Sequence, residues 1–519
     1  MKKSLRAASI VCALTLLASV TTACQGNAGD GDKSSTPASK ADSSSSKVSM
    51  EDAPEISWYV VGSGEPSNWN ETGKKTLDTY SVDKIGVKLD LHCISWGEWA
   101  EKRTQMLNSG DEFDIMFENN ENFAKYVDYG SYADITDLLK NDAKTLFEGT
   151  DEMLWKGVTI GGKIYGVPTV KDNAQVQMLS FDASLIDATN MKSQMEGVKS
   201  IQDLDPILNA MKEQLKKDGK DDAVLPLNKN DGFPGLIGTL YDGLGVGLGP
   251  VGVSIAKNDA KVVNVLEQED FLKDVKTIHE YYKKGYINSN ANTVTESQKY
   301  KPVMSAQGWE GAQVNWAHDN NVEKYYTLRY RGPFITTDTI QGSINCVGAK
   351  SKKKTEAIKY LELINTDKNF RNMLAYGVEG VNWNFADADK DTIIKTDVDW
   401  KLAAYTQGSF LLLYPQLSDV KDKEANPELV YQYSTTVKNY NEEALKNPSK
   451  LLGFIFDPAD YTTELANCKN AWEQFKSDLL TGAKNPDEII PQLNQKLKDN
   501  GFDKIIEGLQ AQVDEYVKG

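Results

Sequence analysis

The groups that could do chemistry in this 519-residue chain are few once each is tested for spacing. His92, His279 and His318 share no metal-ligand spacing. Apart from Cys12 and Cys24 near the start, the cysteines are Cys93, Cys346 and Cys468, and none sits in a C-x-x-C. That excludes a zinc site and a disulfide scaffold, and leaves these thiols as small buried packing residues. The stretch GLGPVG, Gly247 to Gly252, matches G-x-G-x-x-G by letter. A dinucleotide site needs that motif after a strand and at the start of a helix, so that amides meet the pyrophosphate. Here helix-like sequence precedes it, a strand–turn–strand pattern follows, and Pro250 removes an amide, so the glycines read as a mobile loop beside a hairpin. The stretch DADKDTIIKTD, Asp387 to Asp397, opens like a calcium loop. It has Thr392 where such a loop needs glycine and Val398 where it needs a bidentate glutamate, so it reads as a solvated turn. There is no G-x-S-x-G and no P-loop. Carboxylate pairs abound in an acidic chain, so spacing alone neither supports nor excludes glycosidase chemistry. No catalytic residue, metal or cofactor is expected.

The elements that must position whatever site exists follow from periodicity. EISWYVV reads as a buried strand, a Lys- and Thr-rich helix follows, and VKLDLHCISW is a second strand. WGEWAEKRTQMLNSGDEFDIMF continues as helix, glycine stop and third strand. Strands alternating with helices imply parallel βαβ units and an α/β fold. GKIYGVPTVKDNAQVQMLSFDASLI reads as a short hairpin running into another strand. Amphipathic helices are expected over SIQDLDPILNAMKEQLKKDG and FLKDVKTIHEYYKKGYI, the latter with Phe271, Val275, Ile278 and Tyr282 on its stripe. TEAIKYLELINTDKNFRNMLAYG should form two helices broken at Asn365-Thr366-Asp367. The C-terminal stretch is helical, with Phe502, Ile505, Ile506, Leu509, Val513 and Tyr516 on one packing face. Trp58 and Trp472 fall inside element patterns and are assigned to the core.

Residues 1–23 have the layout of a secretory signal peptide: Lys2, Lys3 and Arg6, then an apolar run from Ala7 to Val20. Thr21-Thr22-Ala23-Cys24 resembles a bacterial lipobox, with Thr21 where leucine is commonest. Cys24 is expected to carry a lipid, ordinary cleavage beside a chance cysteine being the alternative. Residues 24–52 are too polar to bury apolar area against ordering entropy, and read as a flexible tether between a membrane anchor and a folded body. The rest should be extracytoplasmic. A net charge of −17 argues against nucleic acid, whose binding needs a basic surface, and against polyanions. The length calls for two domains.

The elements GKIYGVPTVKDN and INTDKNFRNMLAYGVEGVNWNF, the lipobox and tether, and LLGFIFDPADYTTELANCKNAWEQF together resemble the family 1 extracellular solute-binding proteins. These are the substrate-capturing lipoproteins of bacterial ABC importers. The similarity is to their larger branch, which carries extra C-terminal helices. The resemblance implies a periplasmic-binding-protein-like fold of two α/β lobes joined by hinge strands. Lobe one would span 53–168 plus 333–385, and lobe two 169–332 plus 386–519. It also implies a ligand held between the lobes, closure on binding, delivery to a membrane permease, and a monomer rather than an enzyme.

Most relatives of this shape import carbohydrates, and the larger branch is associated with oligosaccharides or glycan fragments. Sugars present apolar C–H faces to aromatic rings and a rim of hydroxyls to Asn, Gln, Asp and Glu. Ligand loops in such sheets lie beyond the carboxyl ends of strands. The candidates are therefore Glu118, Asn119 and Asn120 after the third strand, and Asp172 and Asn173 at the first crossing. Trp309, Glu310 and Trp316 lie in SAQGWEGAQVNW, Trp383 follows YGVEG, and Gln407 stands in AAYTQGSF. Arg329 and Arg331 keep a peptide or another charged small solute open as the ligand. A surface glycosidase is the third reading.

Overall fold

β-branched and aromatic residues dominate Glu55–Val61 (β1), and each of the strands that surround it adds buried apolar residues to the same core. These are Lys88–Ile94 (β2), Ile115–Glu118 (β3), Val167–Pro168 (β4) and Ile344–Val347, which form one sheet in the order β2-β1-β3-(344–347)-β4. The first three are parallel. The strand 344–347 runs antiparallel to both β3 and β4, with Ile344 opposite Glu118 and Pro168. The carboxyl ends of β1 to β4 therefore share one edge. Helices Lys74–Ile85 (α1) and Trp96–Ser109 (α2) supply the crossovers, and each stops on a glycine in the left-handed region, Gly86 and Gly110. The structure, a computed structural model, describes residues 48–62, 64–386, 392–400, 402, 406–417 and 432–519. The leader, Cys24, most of the expected tether and Asp387 to Asp391 lie outside them.

A second sheet is built on Gln175–Asp182 (β5), flanked antiparallel by Val303–Gln307 and Tyr325–Phe334. Beside it, Tyr241–Asp242 (β6), Val251–Ser254 (β7) and Val262–Asn264 (β8) form a small antiparallel sheet. The strand–turn–strand expected after the glycine run is thus present. Numbering on in chain order, 303–307 is β9, 325–334 is β10 and 344–347 is β11.

Among the described residues four apolar clusters divide the interior, the fourth a small one of Ala317, Val322 and Tyr325. One takes residues from Ile56 to Val167 and from Ile344 to Leu402. Another takes Leu179 to Tyr330, and Leu451 to Val513. A smaller one, with Ala174, Val176, Ile335, Ile340 and Tyr440, lies where the chain passes between the other two. The two passages run side by side: Thr169 N–H donates to Ser343 O at 2.9 Å, and Gln175 pairs with Phe334. Phe410 N–H adds a third segment by donating to Val170 O at 2.8 Å.

The last helices, Thr462–Leu480, Pro486–Asp499 and Phe502–Lys518, complete the second cluster rather than standing apart. Phe502, Ile505, Leu509 and Val513 are fully buried there, each worth about 1.5–3 kcal/mol of transfer free energy. Tyr516, expected on the same face, is largely exposed. In helix Glu269–Lys283 the buried fourth residue is Tyr281 rather than Tyr282, because the stripe steps by three from Ile278. The break between helices Lys354–Thr366 and Lys368–Tyr376 falls where expected, with Asp367 accepting from Phe370 N–H. The segment after residue 385, expected in the second lobe, still serves the first cluster: Trp400 and Leu402 pack there, the indole of Trp400 against Gly73. Trp58 and Trp472 are buried as expected, and so are the thiols of Cys346 and Cys468. Cys93 is half-buried, and all three thiols are free.

Candidate functional site

The carboxyl edge of the first sheet gathers rings and amides. Ser95 stands between β2 and α2, and its hydroxyl donates to Glu98 in the first turn of α2 at 2.8 Å. The first helical residue is Trp96. Its indole is 50% exposed and stands edge-on to Phe117 of β3, with centroids 5.8 Å apart. Trp99, one turn on, takes the buried face instead. Beside them, Thr406 is pinned to the end of β1: its hydroxyl donates to Val61 O at 3.0 Å, while Asn345 Nδ2 donates to Thr406 O at 3.1 Å. That places Gln407 behind the same edge. Its side chain is fully buried, and neither amide atom has a hydrogen-bond partner among the described residues. Asn119 Oδ1, just past β3, is likewise buried and unpartnered. Buried polar atoms without partners are uncommon enough to require a reason, and a ligand hydroxyl or an ordered water is such a reason.

Glu118, the last residue of β3, turns the other way. It is fully buried, accepts from Arg103 at 2.6 Å, from Tyr132 Oη at 2.7 Å and from the Asn119 amide at 3.0 Å. Burial pushes its carboxyl up, while Arg103 and the other donors pull it down. Both carboxylate oxygens are engaged from within the fold, so Glu118 braces the loop.

A second group forms at the passages. Asp172 pairs with Lys171 at 3.0 Å and accepts from Gln307 Nε2 at 3.3 Å. Beyond Gln307, Trp309 and Trp316 pack half-buried against the small cluster, Trp316 lying so close to Gly308 that a Cβ there would meet it at 2.5 Å. Tyr440, on helix Gln432–Leu445, donates to Glu310 and lies under the Arg329 guanidinium. Asn441 ties the same helix to the first passage, accepting from Ala174 N–H at 2.8 Å and donating to Lys171 O at 2.7 Å. Asp172, Trp309, Glu310 and Trp316 are thereby brought together. Asn173 is fully buried and holds the turn, accepting from Lys171 N–H and donating to Thr169 O.

Between these groups and the small sheet lies a cavity of about 530 Å³ lined by Asn120, Glu121, Tyr241, residues 243 and 245–249, Asp338 and Lys469, among others. Asp338, on the single turn Thr337–Ile340, accepts from Gly245 N–H at 3.3 Å and from the Asn120 side chain. Asp242 lies near it in the interior. Burial first, and the Asp338 charge second, push the Asp242 carboxyl up to about 7. The glycine run expected to be a loop beside a hairpin is a wall of this cavity.

Trp383 stands apart. It is buried, donates to Gly377 O at 2.9 Å and meets Phe385 edge-on at 4.9 Å, a packing arrangement that fixes the turn after helix 368–376. Among the described residues no three His, Cys, Asp or Glu side chains cluster to hold a metal. Sequence reasoning missed Trp96, Glu121, Gln307, Tyr440 and Lys469. Only Trp96 carried a local signal: a tryptophan directly after a strand and off the buried stripe of its helix.

Residues 75–397 match the family model described as bacterial extracellular solute-binding protein, and residues 450–518 match a domain of unknown function. The chain belongs to the bacterial extracellular solute-binding proteins. It is 28% identical over 485 residues to a carbohydrate ABC transporter substrate-binding protein of Streptococcus pneumoniae, covering 90% of this chain and 92% of that one. Among solved structures it is similar to the N-glycan transport solute-binding protein NgtS of the same organism. The identity is 26% and the TM-score 0.76, covering 90% of this chain and 99% of that one. Against the same protein in complex with Man1GlcNAc the TM-score is 0.70, with all of that chain covered, and with Man5GlcNAc it is 0.67, with 99% covered. These neighbours are two-lobed, as expected from the sequence.

Proposed function

We propose that this chain is the glycan-capturing subunit of a bacterial ABC importer. It binds an oligosaccharide or glycan fragment between its lobes and delivers it to the permease. The observation that carries the ligand class is the edge of the first sheet: a half-exposed indole, Trp96, beside the unpartnered buried amides of Asn119 and Gln407. Rings and uncharged amides recognise sugar C–H faces and hydroxyls. Asp172, Trp309, Glu310 and Trp316 supply the opposing group. On this reading the lobes are 53–168 with 333–402, and 169–332 with the C-terminal helices. The hinge is the paired passage at Thr169 and Ser343. A ligand touching both lobes binds the closed form better and shifts the population toward it.

The anchoring belongs to the same reading. A lipid on Cys24 and the tether hold a monomer outside the membrane; among the described residues no helix is long and apolar enough to cross one. Mass spectrometry of the mature N-terminus tests the lipid. Calorimetry with Man1GlcNAc, Man5GlcNAc and a set of short peptides tests the ligand. Heat from the glycans and none from the peptides is expected, and the reverse overturns it. The solute is bound rather than cleaved, so an added glycan is recovered intact after prolonged incubation.

The charged-ligand reading is disfavoured by its own residues. Arg329 pairs with Glu443 at 3.0 Å and Arg331 with Asp274 at 2.7 Å. Both guanidinium charges are already matched.

A further inference from the structure

We propose that the cavity beside Asn120 is an outer sugar subsite added to the cleft by the C-terminal region, and that Lys469 in it is a specificity-determining residue for longer glycans. This rests on the reading of the chain as a glycan-binding protein. Three separate parts of the fold wall the cavity: the loop after β3, the turn from Gly243 to Gly249, and helix Thr462–Leu480. Its volume of about 530 Å³ falls within the range of about 300–1,000 Å³ usual for ligand sites.

The C-terminal helix holds the turn in place. The Trp472 indole lies so close to Gly249 that a Cβ there would meet it at 2.7 Å, and Lys469 Nζ lies 3.2 Å from where a Cβ on Gly247 would stand. Gly245 and Gly247 have φ of 71° and 64°, conformations that side chains disfavour, so this wall is bare backbone. Bare backbone lets a ligand hydroxyl approach amides and carbonyls directly. Lys469 and Glu121 are exposed at the rim, and neither has an ion-pair partner among the described residues. They offer one donor and one acceptor for hydroxyls. With Glu121 and Asp338 against one ammonium, the cavity suits an uncharged pyranose and disfavours a carboxylated one. The subsite continues from Asn120, so it would take the residues of a glycan that extend beyond the inner site. It also assigns work to residues 450–518, which match only a domain of unknown function.

The test is calorimetry on the mature full chain with Man1GlcNAc and Man5GlcNAc, for the natural protein, Lys469→Met and Gly243→Phe. Lys469 is exposed, and a Cβ on Gly243 meets nothing within 4 Å, so both variants should fold. The phenyl ring projects into the cavity and takes up part of it. Each variant is expected to weaken Man5GlcNAc about tenfold and to leave Man1GlcNAc within about twofold. Equal weakening of both glycans, or no weakening of either by both variants, overturns the subsite. Natural protein that binds neither glycan overturns the glycan reading and the subsite with it.

Discussion

Arg103 Nη1 lies 2.6 Å from Glu118 Oε1, and the two side chains are 4% and 0% exposed. A carboxylate at a strand's carboxyl end, where ligands bind, is here spent on holding the loop from beneath. Removing one member strands a buried charge, which costs about 3–5 kcal/mol. Glu118→Ala should therefore lower unfolding free energy by that amount in urea titration. Replacing both residues by methionine should recover most of it. A loss of glycan affinity with unchanged stability would instead put Glu118 in contact with the sugar.

Trp96 and Trp383 should part company on substitution. Trp96→Ala uncovers only part of Phe117 and is expected to lower the melting temperature little while weakening glycan binding about fivefold, the worth of about 1 kcal/mol of ring contact. Trp383→Ala opens a cavity and loses the hydrogen bond to Gly377, so about 3–5 kcal/mol of stability goes with it. Thermal melts and calorimetry on the two variants read the contrast.

Gln407 is a buried amide with neither atom satisfied among the described residues, a state that costs about 1–3 kcal/mol. Gln407→Leu keeps the volume and removes the cost. The empty protein should gain about 1 kcal/mol in denaturant titration and bind glycan about tenfold more weakly. A variant that is destabilised would mean the amide is satisfied in the empty protein.

Asp242 makes stability depend on pH. Its carboxyl sits at about 7 in the fold, against about 3.9 in an unfolded chain, through burial and the Asp338 charge. The folded state then holds a proton that the unfolded state releases. Stability from this group is full below about pH 4 and falls as pH rises toward 7. Asp242→Asn removes this group's share of the dependence, while burial still raises the Asp338 carboxyl, so the variant should gain on the natural protein between about pH 5 and 7.5 in urea titrations. A constant difference across that range would mean that the carboxyl titrates normally.

The fold was legible where burial follows period. The first three strands of the first sheet, the helix stop at Gly110 and the break at Asp367 all follow from local pattern. The direction of a strand-end side chain does not. β3 is covered on both faces, every residue from Ile115 to Glu118 is buried, and no alternation reveals that Glu118 points inward. Trp96 starts its helix off the buried stripe that Trp99, Arg103 and Met106 take, so its place directly after a strand is the one local mark it carries. Tyr440 meets Glu310, and Lys469 meets Gly247, only through tertiary folding, so neither pairing leaves a trace in local sequence. Trp383 is the converse: a tryptophan after a hinge-like motif reads as a platform, and the fold packs it against Phe385 and Gly377.

Tyr330 and Leu451 share one interior, although the return of the chain through the first sheet's core lies between them. One half of the molecule can therefore finish folding only after the other has been threaded. Until helices Thr462–Leu480 and Pro486–Asp499 dock, the oily face of helix Glu269–Lys283 around Val275 has no cover, and pairing across such distances along a chain is slow. An export apparatus that needs an unfolded passenger gains time from that delay, while a chaperone or protease outside the membrane is given a target for as long as it lasts.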